Sequence, residues 1–348
     1  MRKADPRRPV RTRRLTIAVP LVAALIATLA GCGSNGAADS GKPLRKITFN
    51  LAYFPQGSTG GVFAAIDQGF YEAEGLKVEA VRGYGGTRTV NEIDQGKWDF
   101  GYGDPVSVIL NRAAGGKAVM VGALNTVWPG GLCYDAGKHQ INTLRDLKGL
   151  VLGGGATSPI QSLLPVWLEA NGLPRDHIKL LKMDPAVVDT SFIQGKTDLD
   201  DCWAASNRAN VLKLAEQAGK NIKWIEYRDH KLDMYGNGIV TSAQRIQQDP
   251  ALVKAFLRAT YKGYAYMREH PDKVAEYIAS KNPQLDPKVL TQQATDMNKL
   301  INDPRTASQG PGWFDAARMT STVETIRRAF QVKREIAPSD VYTNDHLK

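Results

Sequence analysis

Aromatic, hydroxyl and amide side chains gather where apolar runs give way to helix-starting residues. Tyr53, Gln56, Ser58 and Thr59 follow the run at 47–52. Tyr84 and Thr87 flank the turn Gly83-Tyr84-Gly85-Gly86, and Tyr102 and Asp104 close a third run. Trp128 comes after a fourth, Thr157 and Ser158 after Gly153-Gly154-Gly155, and Trp203 ends the run at 199–203. Such a mixture suits binding rather than bond breaking. The rings give flat apolar walls, and hydroxyls with free helix N–H groups give hydrogen bonds to polar or anionic groups. In open α/β sheets, ligands sit outside the carboxyl ends of the strands, where these residues fall. Each has a plainer reading as well. Thr87, Asp104 and Ser158 are helix-cap types, and Tyr53 or Trp203 could be core. Tyr84, between glycines, fits a core less easily.

Motifs for catalysis are missing. HExxH and GxSxG do not occur. Gly195-Lys196-Thr197 ends like a phosphate loop, but Thr190 stands where its first glycine belongs. The triglycine before Ala156 lacks the third glycine of a dinucleotide fingerprint. His139, His177, His230, His270 and His346 are scattered and read as surface residues. Asp200 and Asp201 are strand neighbours pointing to opposite faces, so a solvated or capping role is expected rather than a cation site. No Cys/His cluster suggests a metal. No cofactor motif and no basic-aromatic stripe for nucleic acid is found.

The chain has 348 residues and a formal charge of +10. The charge is unevenly spread. Arg2, Lys3, Arg7, Arg8, Arg11, Arg13 and Arg14 open the chain with only Asp5 against them, and an uncharged, mostly apolar run from Leu15 to Gly31 follows. A basic segment, an apolar segment and small residues before a cut site form an export signal; the run from Leu15 to Gly31 is short for a membrane span, which makes an uncleaved anchor the weaker reading. Without residues 1–31, the 45 basic and 35 acidic residues lose seven and one, leaving +4. Most of the basic excess therefore belongs to the leader and asks for no polyanion. Residues 32–44 read as a small, polar tether. Cys133 and Cys202 remain beyond it, either bonded in an oxidising compartment or separately buried; both readings stay open.

Strands and helices alternate from Lys46 to Glu226, which predicts two open α/β sheets. Thr59, Thr87, Asp104-Pro105 and Ser158-Pro159 are the expected helix starts. From Gln244 the pattern turns helical, with starts at Asp249-Pro250, Pro271, Pro287 and near Phe314, and this tail is expected to pack on an existing lobe.

Leu29-Ala30-Gly31-Cys32 resembles the lipobox of bacterial lipoproteins, which implies lipidation of Cys32, an extracytoplasmic location and a membrane anchor. AYFPQGSTGGVFAAIDQGFYEAEGLKVEAV resembles the opening of solute-binding proteins of bacterial ABC importers, in the branch serving nitrate, taurine, aliphatic sulfonates and thiamine-pyrimidine precursors. The likeness continues in FIQGKTDLDDCW, in the stretch 238–279, and in VYTNDHL. It implies a periplasmic-binding-protein-like type II fold, two α/β lobes joined by a two-segment hinge. Lobe one would hold residues 45–133 and 237–348, and lobe two 134–236, with crossings near Gly131–Tyr134 and Tyr235–Gly238. The pocket would lie at Tyr53, Gln56, Ser58, Thr59, Tyr84, Thr87, Tyr102, Asp104, Trp128, Thr157 and Ser158, with Trp203 and Tyr235 added. The implied protein is a monomer and not an enzyme. Its partners would be a small ligand, a permease and the permease's ATPase. A sulfonate would call on helix N–H groups, hydroxyls and Arg88, a nitrogen heterocycle on aromatic stacking and a carboxylate such as Asp104. The heterocycle is slightly favoured. A receptor's sensing domain and a pyrimidine-synthase-like enzyme are the rival readings.

Overall fold

The computed structural model describes residues 43–155, 158–302 and 304–348. The leader, Cys32 and Thr157 lie outside the described residues. Four runs rich in apolar residues form β1 (Arg45–Asn50), β2 (Leu76–Val81), β3 (Phe100–Gly103) and β4 (Ala118–Ala123). Between them run α1 (Gly60–Asp67), α2 (Gly86–Asp94) and α3 (Pro105–Ala113). The second set is β5 (Gly130–Asp135), β6 (Val151–Gly155), β7 (Lys179–Met183), β8 (Leu199–Trp203) and β9 (Ile222–Glu226). Its helices are α4 (Pro159–Ala170), α5 (Val188–Ile193) and α6 (Asn207–Gln217). The chain then returns through β10 (Gly238–Ser242) into six helices: α7 (Ala243–Gln248), α8 (Pro250–Glu269), α9 (Pro271–Lys281), α10 (Pro287–Leu300), α11 (Ala316–Ala329) and α12 (Pro338–Val341).

Two five-stranded sheets result, ordered β2-β1-β3-β10-β4 and β7-β6-β8-β5-β9. In each, one strand runs against the rest beside the central strand: β10 is antiparallel to β3 and β4, and β5 to β8 and β9. The carboxyl ends of β1 to β4 thus share one edge of the first sheet, and those of β6 to β9 one edge of the second. Loops leaving these edges carry nearly all the candidate residues.

The returning helices fix the first sheet. Phe256 of α8 stacks on Phe100 at 4.0 Å between centroids, with Tyr71 at 5.2 Å and Phe49 at 5.9 Å on its flanks. Helices α1 and α8 approach backbone to backbone: a Cβ on Gly263 would stand 2.0 Å from the Gly61 carbonyl oxygen. No side chain fits there. A second apolar cluster runs from Val90, Ile109 and Met120 through Leu132, Leu152 and Trp167, and includes Met319, Val323 and Ile326 of α11.

Several expectations are corrected. Residues 131–134 lie inside β5 and pair with β8 and β9, so the first crossing between sheets falls at 124–129. Glycines at 130 and 131 hid this strand. Asp200 and Asp201 are 0% and 5% exposed, neither solvated nor capping. Thr59 does not cap α1; its hydroxyl donates to the Gln56 carbonyl. Thr87 lies inside α2, whose N-cap is Gly85 at φ 112°, a left-handed-side conformation that β-carbons resist. His177 and His346 are buried rather than on the surface, His177 Nε2 lying between the carbonyls of Leu144 and Arg145. Cys133 and Cys202, on adjacent strands with Cα atoms 5.4 Å apart, are joined by a disulfide.

Candidate functional site

The first sheet supplies a rigid rim. The turn after β1 is held by Asn50, whose Oδ1 accepts from the Ala52 amide and the Thr89 hydroxyl, both at 2.9 Å. Ala52 sits at φ 59°, a conformation of about 1–3 kcal/mol strain that persists only where the surroundings over-determine it. The amides of Gly83 and Gly85 bind the carbonyls of Tyr53 and Ala52, tying the turns after β1 and β2 together. This presents Tyr53 and Phe54, half-buried and edge to face at 4.8 Å. Arg82 lies over the Phe54 ring at 3.7 Å, and both Arg82 and Arg88 flank the Tyr84 ring. Tyr84 is 62% exposed and stands at the outside of the rim.

Other candidates on this sheet are committed to the scaffold. Asp104 is buried, and its two oxygens accept from the Ser107 amide and hydroxyl at 2.9 and 2.7 Å. It caps α3, and its burial raises its pKa above the ordinary carboxylate value. Tyr102 donates to Asn125 Oδ1 at 2.8 Å, and burial raises its pKa. Thr87 Oγ1 pairs with Ser107 Oγ at 3.3 Å. Thr59 is fully packed; Ser58 is buried with its carbonyl accepting from Tyr264, while its Oγ has no hydrogen-bond partner in the protein. Tyr235 is 0% exposed and packs on Phe314 and Arg318, with α11 rather than at the rim.

The second sheet contributes carboxylates. Asp201 and Trp203 alternate along β8 and share a face with Gly130, since Leu132 pairs with Asp201 and Gly130 with Trp203. Trp203 tilts against the buried Trp128 at 5.3 Å. Gly154 leaves room beside them: a Cβ there would meet Gln161 Nε2 at 2.6 Å and Asp201 Oδ2 at 2.9 Å. Ser158 caps α4 with a 3.3 Å bond to the Ile160 amide. The buried Trp128 Nε1 and Gln161 Oε1 have no hydrogen-bond partner in the protein. Buried polar atoms are rarely left so.

Burial drives the Asp201 pKa up to about 7, although Ser158 and Trp203 hydrogen bonds pull it down. Asp189 is raised for the same reason, while Asn207 and Asn210 donate to its two oxygens at 3.0 and 2.8 Å. Asp200, on the opposite face, is raised well above the ordinary carboxylate value by burial; neither of its oxygens is hydrogen-bonded. The Tyr53 hydroxyl feels both sheets. Burial raises its pKa first, then Asp189, with Asp201 and Asp184 adding and Arg82 opposing. A first-sheet hydroxyl therefore lies in the field of second-sheet carboxylates.

Direct bonds also join the two sides. Ser206, just after β8, donates to Gln56 Oε1 at 2.7 Å. Gln293 of α10 accepts from the Gly57 amide and donates to the Ser206 carbonyl, each at 2.9 Å. Lys213 of α6 pairs with Asp286 at 2.6 Å.

Of the expected residues, the structure brings Tyr53, Gln56, Trp128, Ser158 and Trp203 to the facing edges. Asp201, Asp189, Ser206 and Gln293 were missed. Asp201 was in view as part of an acidic pair, and its place before a strand-end tryptophan was the available signal. Gln293 sits mid-helix, and nothing local marks it. Among the described residues no acidic, histidine and cysteine group is placed to hold a metal. No described helix is long and apolar enough to cross a membrane.

Against known proteins, the family model described as "NMT1/THI5 like" matches residues 56–274, more than half of the chain. The formylaminopyrimidine-binding protein of Halalkalibacterium halodurans is 20% identical, over 91% of this chain and 94% of its own length. The riboflavin-binding protein RibY of Chloroflexus aurantiacus is 22% identical, over 87% and 86%. The crystal structure of the periplasmic aliphatic sulphonate binding protein SsuA from Escherichia coli superposes with a TM-score of 0.67 at 16% identity, over 88% of this chain and all of that one. The two-sheet architecture is thus the periplasmic-binding-protein fold.

Proposed function

We propose, from the premise that the chain belongs to the NMT1/THI5-like family, that it is an extracytoplasmic solute-binding lipoprotein of an ABC importer. It captures a small polar solute between two lobes and hands it to a membrane permease, with no chemical change to the solute. One lobe is built on the first sheet with the returning helices and the other on the second sheet, joined by the crossings at 124–129 and 227–237. Cys32 carries the lipid, and the protein works as a monomer.

The observation that carries the reading is the meeting of loop edges from the two sheets, where Ser206 after β8 donates to Gln56 Oε1 after β1 at 2.7 Å. A solute touching both holds the lobes together, so binding shifts an open–closed equilibrium by its differential affinity for the closed state. The solute class follows from the donors and acceptors available. Tyr53, Phe54, Trp128 and Trp203 give aromatic walls, and Asp201 and Gln161 Oε1 give acceptors. That set suits a nitrogen heterocycle bearing N–H donors. An organosulfonate is the second reading, supported by Arg82 over the Phe54 ring and the N-terminus of α4. The relatives' printed names cover both classes: a formylaminopyrimidine, riboflavin and aliphatic sulphonates. Calorimetric titration of residues 33–348 with aminopyrimidines, flavins, alkanesulfonates and nitrate tests this. One binder at micromolar affinity or better is expected; covalent turnover of any of them rejects a binding protein.

A further inference from the structure

The two crossings between the sheets are bound to each other and to one arginine. The amides of Leu124 and Asn125 bind the Asn237 carbonyl at 3.1 and 2.7 Å, and the Gly236 amide binds the Asn125 carbonyl at 3.0 Å. Arg318 of α11, 5% exposed, reaches both strands of this pair. Its guanidinium donates to the Thr126 carbonyl on the first crossing and to the Asp233 carboxylate on the second. It also lies 4.8 Å from the Tyr235 ring centre. The same helix binds Tyr235 twice more: Thr322 Oγ1 accepts its amide at 3.2 Å, and its hydroxyl accepts the Asp315 amide at 2.8 Å.

A few residues further along, each crossing is anchored to the other sheet. The Pro129 carbonyl accepts from the Ala204 amide at 2.9 Å. The His230 carbonyl accepts from Asn171 at the end of α4 at 2.9 Å, and Lys231 Nζ donates to the Ala170 carbonyl at 3.1 Å. Between the two sets of anchors lie only Val127–Trp128 on one crossing and Leu232 on the other. Lys231, next to the second gap, has φ 63°, a stressed conformation for a side-chain-bearing residue.

We propose that Arg318 is the positioning residue of lobe closure, fixing the first-lobe ends of both crossings so that the lobes rotate about Val127–Trp128 and Leu232. The inference rests on the two-lobe reading above. A planar fork can hold a carbonyl and a carboxylate on two strands at once, which a lysine ammonium does in a less fixed geometry. Asp233 is 67% exposed in its side chain, so losing Arg318 strands no buried anion.

The test uses residues 33–348 with spin labels at Lys77→Cys and Lys148→Cys, both exposed and one on each lobe. Pulsed dipolar spectroscopy gives the distance distribution without any ligand, and thermal melts monitor the fold. Arg318→Met is expected to broaden the distribution at least twofold, with partial narrowing in Arg318→Lys. A folded Arg318→Met protein with the native distribution overturns the proposal. Should Arg318→Met fail to fold, Asp233→Ala, on the exposed partner, is read by the same rule. If the native protein gives one distance with and without the solute found by titration, the two-lobe reading itself fails, whatever Arg318 does.

Discussion

The Ser206 hydroxyl donates to Gln56 Oε1 at 2.7 Å, one hydrogen bond linking loops from two different sheets. Gln293 seals the same junction by accepting from Gly57 and donating to the Ser206 carbonyl. These bonds need no solute. They favour the arrangement in which the facing edges are together, and so strengthen binding without touching the ligand. Each is worth about 0.5–1.5 kcal/mol net. Gln293→Ala removes one bond between the lobes, that to the Ser206 carbonyl, since Gly57 lies on the same lobe as Gln293, and is expected to weaken solute affinity roughly 2- to 10-fold on that scale. Titration calorimetry on the melted-and-checked variant measures it.

Asp201 sets a pH dependence of stability. Its folded pKa is about 7, against an ordinary 3.8. A raised carboxylate stabilises the fold fully below the ordinary value and loses that contribution as pH rises through about 7. Asp104, Asp189 and Asp200 are raised as well and act in the same sense. Asp201→Asn is therefore expected to gain on the native protein between pH 4 and pH 7, by on the order of 3 kcal/mol. Denaturant melts at both pH values read it, and a difference independent of pH would contradict the assignment.

The same carboxylate separates the two ligand classes. A heterocycle presenting N–H donors binds best to ionised Asp201, so its affinity should rise from pH 6 to pH 8. A sulfonate meets growing repulsion and should bind more weakly over that range. Affinity measured at both pH values, on a solute that does not itself titrate there, gives the sign.

Gly263→Ala tests the contact between α1 and α8. The added Cβ would fall 2.0 Å from the Gly61 carbonyl oxygen, and backbone cannot yield as a side chain does. A loss of about 1–3 kcal/mol is expected from overpacking alone. An unchanged melting temperature would mean that the helices sit further apart in solution.

Much of the fold was legible in the sequence because burial imposes period. The run at 199–203 coincides with a strand residue for residue. Asp104-Pro105, Ser158-Pro159 and Asp249-Pro250 mark helix starts because a side-chain acceptor before an N1 proline suits no other local structure as well. Strands β5 and β10 were not legible. Gly130, Gly131 and Gly238 have no side chains to signal a strand, and each strand is made by pairing with partners distant in sequence. The site was half legible. Tyr53 and Trp203 announce themselves by type and place, whereas the charge state of Asp201 depends on desolvation by the finished fold. Asp104 reads both as a cap and as a ligand group in the sequence, and its cap role accounts for both its oxygens.

The central claim is that one solute touches both sheets at once. Titrating the binder from the solute panel into native protein, Tyr53→Ala and Trp203→Ala tests it most directly, since the two residues come from different sheets. Each variant, folded and melting normally, is predicted to lose at least tenfold in affinity. Native affinity in either variant would contradict capture between the sheets and place the solute elsewhere on the molecule.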